Sequence, residues 1–182
     1  MRKKAAFEMS VTTMVVIVIA VVLLVLGLVF VRQIFSGATE NVLTINDKVR
    51  SEINKLFSEE NQKTAIYLSD RIAEVKQGKP FGVAFAIRNI GSRESTFGYT
   101  VSVNDPQIQS KCGITTSDAM AWIVAGGSET GITLPPGHLY FTIIRFEPDL
   151  TAPLCTVRFK VAITQGTTTY DTFSFDVKIM AK

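Results

Sequence analysis

Hydrophobic and polar positions along this chain obey three successive rules. From Met9 to Val31 there is no charged residue, and most positions are Val, Ile, Leu, Met or Ala. As a helix rising about 1.5 Å per residue, the block is long enough for a hydrocarbon core of roughly 30 Å. A charge at the middle of such a span would cost on the order of 2.5 to 3.5 kcal/mol, and none is there. From Val31 the apolar residues thin to a stripe, with Val31, Phe35, Ala38, Val42, Ile45, Val49, Ile53 and Leu56 at steps of three and four. That spacing marks one face of an α-helix. Other positions carry Arg32, Glu40, Asp47, Lys48, Arg50, Glu52, Lys55 and Glu59. One long helix is therefore expected over residues 7–61, leaving the apolar block as an amphipathic stalk, with Ser36 and Gly37 as its bend.

Beyond residue 61 the period falls from 3.6 to 2, which marks a domain boundary. Phe81, Val83, Phe85 and Ile87 alternate with small or polar residues, and so do Phe97, Tyr99, Val101 and Val103 after the turn-rich segment from Asn89 to Ser95. These two runs are expected to pair as antiparallel strands with one buried face. Val157, Phe159, Val161 and Ile163, a turn near Gln165 and Gly166, then Phe173, Phe175, Val177 and Ile179 form a second such pair. Weaker strand signals lie at 121–124, 132–134 and 139–146, with an entry strand at 66–75. Seven to eight strands at this spacing fit a sandwich. The expected fold class is thus α+β, a long N-terminal hydrophobic helix followed by an immunoglobulin-like antiparallel β-sandwich over 62–182.

Charge orients the helix. Arg2, Lys3 and Lys4 precede the apolar block and Arg32 follows it. Basic residues beside a span resist translocation, so the expected topology is a single-pass membrane protein with a cytoplasmic N-terminus and an extracellular C-terminal domain. The net charge of +3 is no guide to partners: after residue 61 twelve basic residues stand against ten acidic ones. No basic stripe points to nucleic acid.

Candidate chemistry is sparse. His138, the one histidine, follows Pro135-Pro136-Gly137 and has no carboxylate or nucleophile in a recognisable pattern, so no enzyme, metal or cofactor is expected. Cys112 and Cys155 lack metal-ligand spacing and are either a structural disulfide or two buried thiols. Closing a loop of that length stabilises by about 4 kcal/mol in the chain-entropy model. Trp122 sits in an apolar segment and reads as core. Thr167-Thr168-Thr169 reads as an exposed contact or an ordinary β loop.

The leader admits three fates. A secretory signal would have a shorter apolar region with small residues behind it, and an uncleaved anchor needs only the charge asymmetry. Here basic and small residues instead stand before the apolar block, as Lys3-Lys4-Ala5-Ala6-Phe7-Glu8. That sequence resembles the class III signal peptides of type IV pilins and of archaeal surface filament subunits, the archaellins and archaeal adhesion pilins. The resemblance implies a leader of residues 1–6 and a cut after Ala5, leaving Ala6 first, or after Ala6, leaving Phe7 first. It implies that Glu8 neutralises a neighbouring subunit's new amino terminus. It also implies a prepilin-type peptidase and an assembly ATPase with its platform as partners. The product is a homo-oligomeric helical filament, extracellular after assembly, with the apolar helix in its core and the sandwich on its surface, serving adhesion or motility. In that setting the stripe of Val31, Phe35, Val42, Ile45, Val49, Ile53 and Leu56 is an assembly face. Packing on the chain's own β domain or in a coiled coil would explain the same periodicity. The rival function is an uncleaved, membrane-anchored extracellular binding domain.

Overall fold

A computed structural model describes residues 11–36, 43–57 and 62–182, and within the first stretch it describes side chains at 14–29. The chain divides into two compact units, Met1–Ala38 and Thr39–Lys182. Helix α1, Val11–Ser36, belongs to the first. The second contains helix α2, Asp47–Leu56, and two β-sheets.

The expected helix over 7–61 is not one helix. Residues 43–46 are non-helical, and α2 starts afresh after Asn46, whose backbone is extended and whose side chain accepts a hydrogen bond from the Val49 N–H at 3.0 Å. Asp47 adds a carboxylate to the first turn, where it opposes the positive end of the helix dipole. Asn-Asp is a start signal, and it interrupts a stripe whose spacing alone runs straight through it.

Two corrections follow. The chain is predominantly β, two sheets preceded by a helix whose described side chains span residues 14–29, and not an α+β chain led by one long helix over 7–61. The part of α1 with described side chains, 14–29, covers about 24 Å, short of the roughly 30 Å of a hydrocarbon core. Among the described residues no helix is long and apolar enough to cross a membrane, which overturns the expected single-pass topology.

The first sheet has the order β1 (Thr64–Tyr67), β3 (Phe81–Arg88), β7 (Leu139–Phe146), β5 (Ile123–Ala125). The second has the order β2 (Ile72–Lys76), β9 (Thr168–Met180), β8 (Thr156–Gln165), β4 (Ser95–Val103), β6 (Ser128–Leu134). Inward residues of both sheets share one core. Phe85 meets Tyr99 edge-on at 5.1 Å and Phe173 at 5.4 Å, and Phe146 meets Phe159 at 5.2 Å. Such edge contacts are the favoured geometry of aromatic pairs.

Alternation located most strands but not their partners. The runs 81–88 and 95–103 are not a hairpin. They lie in opposite sheets, β3 between β1 and β7, β4 between β8 and β6. The fully buried Asn89 enforces that crossing: its amide donates to the carbonyls of Arg93 and Leu134, both at 2.8 Å, and its oxygen accepts from the Gly91 N–H at 2.9 Å. The expected entry strand is likewise two strands in two sheets. A 3-10 turn at Ser69–Arg71 separates them, with Asp70 at φ 51° and Arg71 at φ 57°. β2 then pairs parallel to β9, so the sandwich is not purely antiparallel. The 157–163 and 173–179 runs do form a hairpin, β8 and β9.

Candidate assembly surfaces

The first candidate surface is α1. Every large apolar residue from Met14 to Val29 is between 50% and 63% exposed, and the two remaining positions are Ala20 and Gly27. A helix apolar on all sides has no face suited to water, and such helices are covered by other apolar groups. Burying the exposed half of one of these side chains is worth roughly 1 kcal/mol. Over this helix the sum is on the order of 10 kcal/mol, comparable to the roughly 4 to 15 kcal/mol that association costs in lost freedom.

The stripe below it behaves differently. Val49, Ile53 and Phe57 are buried, the second completely, and pack on Ala65, Ala84 and Ala86. Tyr67, Leu139, Phe141 and Ile143 wall the contact. Three alanines on the outer face of the first sheet let a helix backbone come close, and this explains why β3 is buried on both faces. Arg50 lies over the Phe141 ring at 5.0 Å, and Arg145 donates to the Leu43 carbonyl at 3.0 Å. These contacts hold the N-terminal half of α2 and the segment before it against β7. Of the expected stripe, Val49 and Ile53 are therefore covered within one chain. Ile45 is half-buried and Leu56 is 44% exposed. Phe57 closes the buried face instead, four residues after Ile53.

Lys3, Lys4, Ala5, Ala6, Phe7, Glu8 and Val42 lie outside the described residues, as do the side chains of Val31 and Phe35.

A third region was missed at the sequence level. Between β4 and β5 the chain forms two short helices, α3 (Ile108–Cys112) and α4 (Thr116–Met120). Thr115 caps α4 through reciprocal bonds with Asp118: the Asp118 N–H donates to the Thr115 hydroxyl, and the Thr115 N–H donates to the Asp118 carboxylate at 2.8 Å. The Thr115 N–H and the Thr115 hydroxyl both donate to the Asp118 carboxylate and hold it below the usual carboxylate range. The Thr115-x-x-Asp118 spacing is the signal that could have found this helix. Cys112, at the end of α3, is bonded to Cys155, with Cα atoms 5.6 Å apart.

Beside that disulfide a polar pocket is lined by Asp105, Gln107, Lys111, Thr156, Arg158 and Asp176. Arg158 donates twice to the Asp176 carboxylate, at 2.8 and 3.0 Å. This pairing lowers the Asp176 pKa and raises that of Arg158. Lys111 stands 3.6 Å from the buried Asp105. Charges of both signs are thus matched inside the pocket. Among the described residues no group of three or more His, Cys, Asp or Glu could hold a metal. His138 is exposed in its turn, where its N–H donates to the Pro135 carbonyl, and Trp122 is only 5% exposed, within the core.

No protein-family model matches the chain, and no curated protein does. Among solved structures it is similar to the CARDB domain of a Pyrococcus furiosus protein in complex with di-metal ions. Identity is 13%, over 59% of this chain and 79% of that one, with a TM-score of 0.41. It is also similar to a family 123 glycoside hydrolase from Clostridium perfringens, at 8% identity and a TM-score of 0.39, over 61% of this chain and 22% of the hydrolase. Likenesses at this level give no guide to function.

Proposed function

We propose that this chain is the structural subunit of a filament of the type IV pilus-like or archaellum-like kind, in which copies of α1 cover one another. The observation that carries this reading is the uninterrupted exposure of apolar side chains from Met14 to Val29. A second copy offers a surface of the same chemistry. A head-to-tail contact whose rotation does not close repeats indefinitely and yields a filament. The β unit has its own core and its own disulfide, which suits a unit carried on the outside of such a filament.

The leader supports the same reading by resemblance. Lys3-Lys4-Ala5-Ala6-Phe7-Glu8 has the basic, small and acidic residues of a class III leader directly before the apolar block. Cleavage after Ala5 or Ala6 by a prepilin-type peptidase would give the mature subunit. An assembly ATPase and its platform would build it into filaments, and adhesion or motility would be the filament's work. Glu8 would lie beside a neighbouring copy's new amino terminus.

The test has two readouts on the full chain in its native host. Intact mass should show a mature subunit starting at Ala6 or Phe7, and filaments containing it should appear by negative-stain electron microscopy. Leu24→Arg places a charge in the middle of the described helix and should abolish filaments while the β unit keeps its disulfide. An intact leader, or filaments unaffected by Leu24→Arg, would overturn the reading.

A further inference from the structure

The segment from Asn104 to Trp122, which carries α3 and α4, is attached to the sandwich differently from every strand around it. Four residues plug it into the common core: Ile108 (5% exposed), Cys112, Ala119 (fully buried) and Trp122 (5%). Its helices are five residues each, too short to hold their shape without tertiary support. No ladder of strand hydrogen bonds runs along it, and backbone bonds tie its two ends, the Asn104 N–H donating to the Arg158 carbonyl and the Glu147 N–H to the Trp122 carbonyl, both at 2.8 Å. Its first half faces the polar pocket, whose other wall is Thr156, Arg158 and Asp176 of the second sheet, so α3 meets that sheet partly across open space. At the join between α3 and the sandwich stands the Cys112–Cys155 bond. The Cys155 carbonyl accepts from the Ile179 N–H at 2.8 Å, which anchors that end of the bridge to β9.

We propose that Asn104 to Trp122 is a redox-governed flap. The disulfide holds it closed over the end of the core, and reduction releases the flap while the two sheets stay folded. A small dithiol supplies the chemistry. One of its thiolates attacks a sulfur of the bridge, the Cys112–Cys155 bond breaks, and the second thiol closes the reagent into a cyclic disulfide. The protein gains two electrons and two protons as two thiols, and the reagent loses the same. Once free, α3 is held to the sandwich by the insertion of Ile108 and Cys112 and the packing of Ile114, while the Lys111–Asp105 ion pair joins two residues of the flap itself and does not tie it to the sheets. The flap then opens as a local unit, exposing the Trp122 side of the core and the pocket wall formed by Arg158 and Asp176.

Trp122 is the chain's single tryptophan, so the flap carries its own reporter. Full-length protein in a non-ionic detergent would be treated with dithiothreitol, with free thiols counted to confirm two per chain. Three signals would be followed: tryptophan emission, far-ultraviolet circular dichroism, and trypsin cleavage after Lys111, inside α3. The expected result is a red shift of the emission and at least a tenfold rise in cleavage after Lys111, with the β signal unchanged. The double variant Cys112→Ser, Cys155→Ser should show the same opening without reductant. If that variant fails to fold, reduction of the folded wild-type chain decides the matter alone. Complete reduction with no change in emission or cleavage would overturn the proposal. So would simultaneous loss of the β signal, since the bond would then hold the whole sandwich and not a flap.

Discussion

Replacing Ile53 by Ala tests whether the lower half of the apolar stripe belongs to its own chain or to a neighbour. Ile53 is fully buried on α2, against Ala65, Ala84 and Ala86 of the first sheet. Buried Ile→Ala changes cost about 2 to 5 kcal/mol, depending on how far the surroundings collapse. Here the floor is three alanines on paired strands, which cannot move in to fill the gap. The helix above, with ten residues and one side chain cap, can settle by a fraction of an ångström. The two features place the loss at about 3 kcal/mol. A helix this short is not stable undocked, so weaker docking appears as local melting of α2. Hydrogen exchange on the full chain reads this directly: protection of the amides from Arg50 to Phe57 should fall about a hundredfold, at one tenfold per 1.4 kcal/mol. The fall should be the same at low and high protein concentration. Protection that is unchanged in dilute protein and altered only in assembled material would refute the reasoning, because the stripe would then be completed by another copy.

Asn89→Leu removes both donors and the acceptor that tie the first strand crossing together, leaving the Leu134 carbonyl and the Gly91 N–H without their partner. A loss of about 3 kcal/mol is expected in a urea unfolding curve, and a loss under 1 kcal/mol would contradict the assigned role. Gly126→Ala should destabilise by at least about 2 kcal/mol, since φ is +73° and an added Cβ would strike the backbone of Ile143 and Ile144; an unchanged melting temperature would count against this close approach. The pH dependence follows from Asp176. Arg158 holds its carboxyl below the ordinary value of 3.8, so its stabilising contribution is complete above that pH and is lost as the pH falls through the lower folded-state value. Asp176→Asn should remove that part of the acid limb, at most about 1 kcal/mol given its partial exposure, and identical acid unfolding of the two proteins would contradict the pairing.

Strand positions were legible because a half-buried strand writes its burial directly as alternation, and β8 and β9 read as they stand. Pairing was not legible. Phe85 and Tyr99 both point into one core, but the same alternation arises whether two strands are neighbours or face one another. Only Asn89 and the segment after it distinguish the cases. The entry strand failed for a similar reason: apolar residues resume on the far side of Ser69-Asp70-Arg71, from Ile66 and Leu68 to Ile72 and Val75, while positive φ at two non-glycine residues turns the chain from one sheet to the other. In the helical region the three-and-four spacing survived a genuine break, because Asn46 caps a new helix without disturbing the register of Ile45 and Val49. The paired cysteines were legible as candidates, and their pairing depended on a 43-residue separation folding back to 5.6 Å. The short helices of the flap left one trace, Thr115 and Asp118.

In a filament built on α1, residues 14–29 of one copy are covered by the same residues of other copies. Electron cryo-microscopy of filaments formed by the full chain measures this directly. The expected result is a helical reconstruction whose innermost layer is built of these helices, with Leu23, Leu24 and Leu28 of one copy in van der Waals contact with the apolar block of its neighbours. A reconstruction in which residues 14–29 touch no other copy, or preparations that yield only discrete particles without an axial repeat, would contradict it.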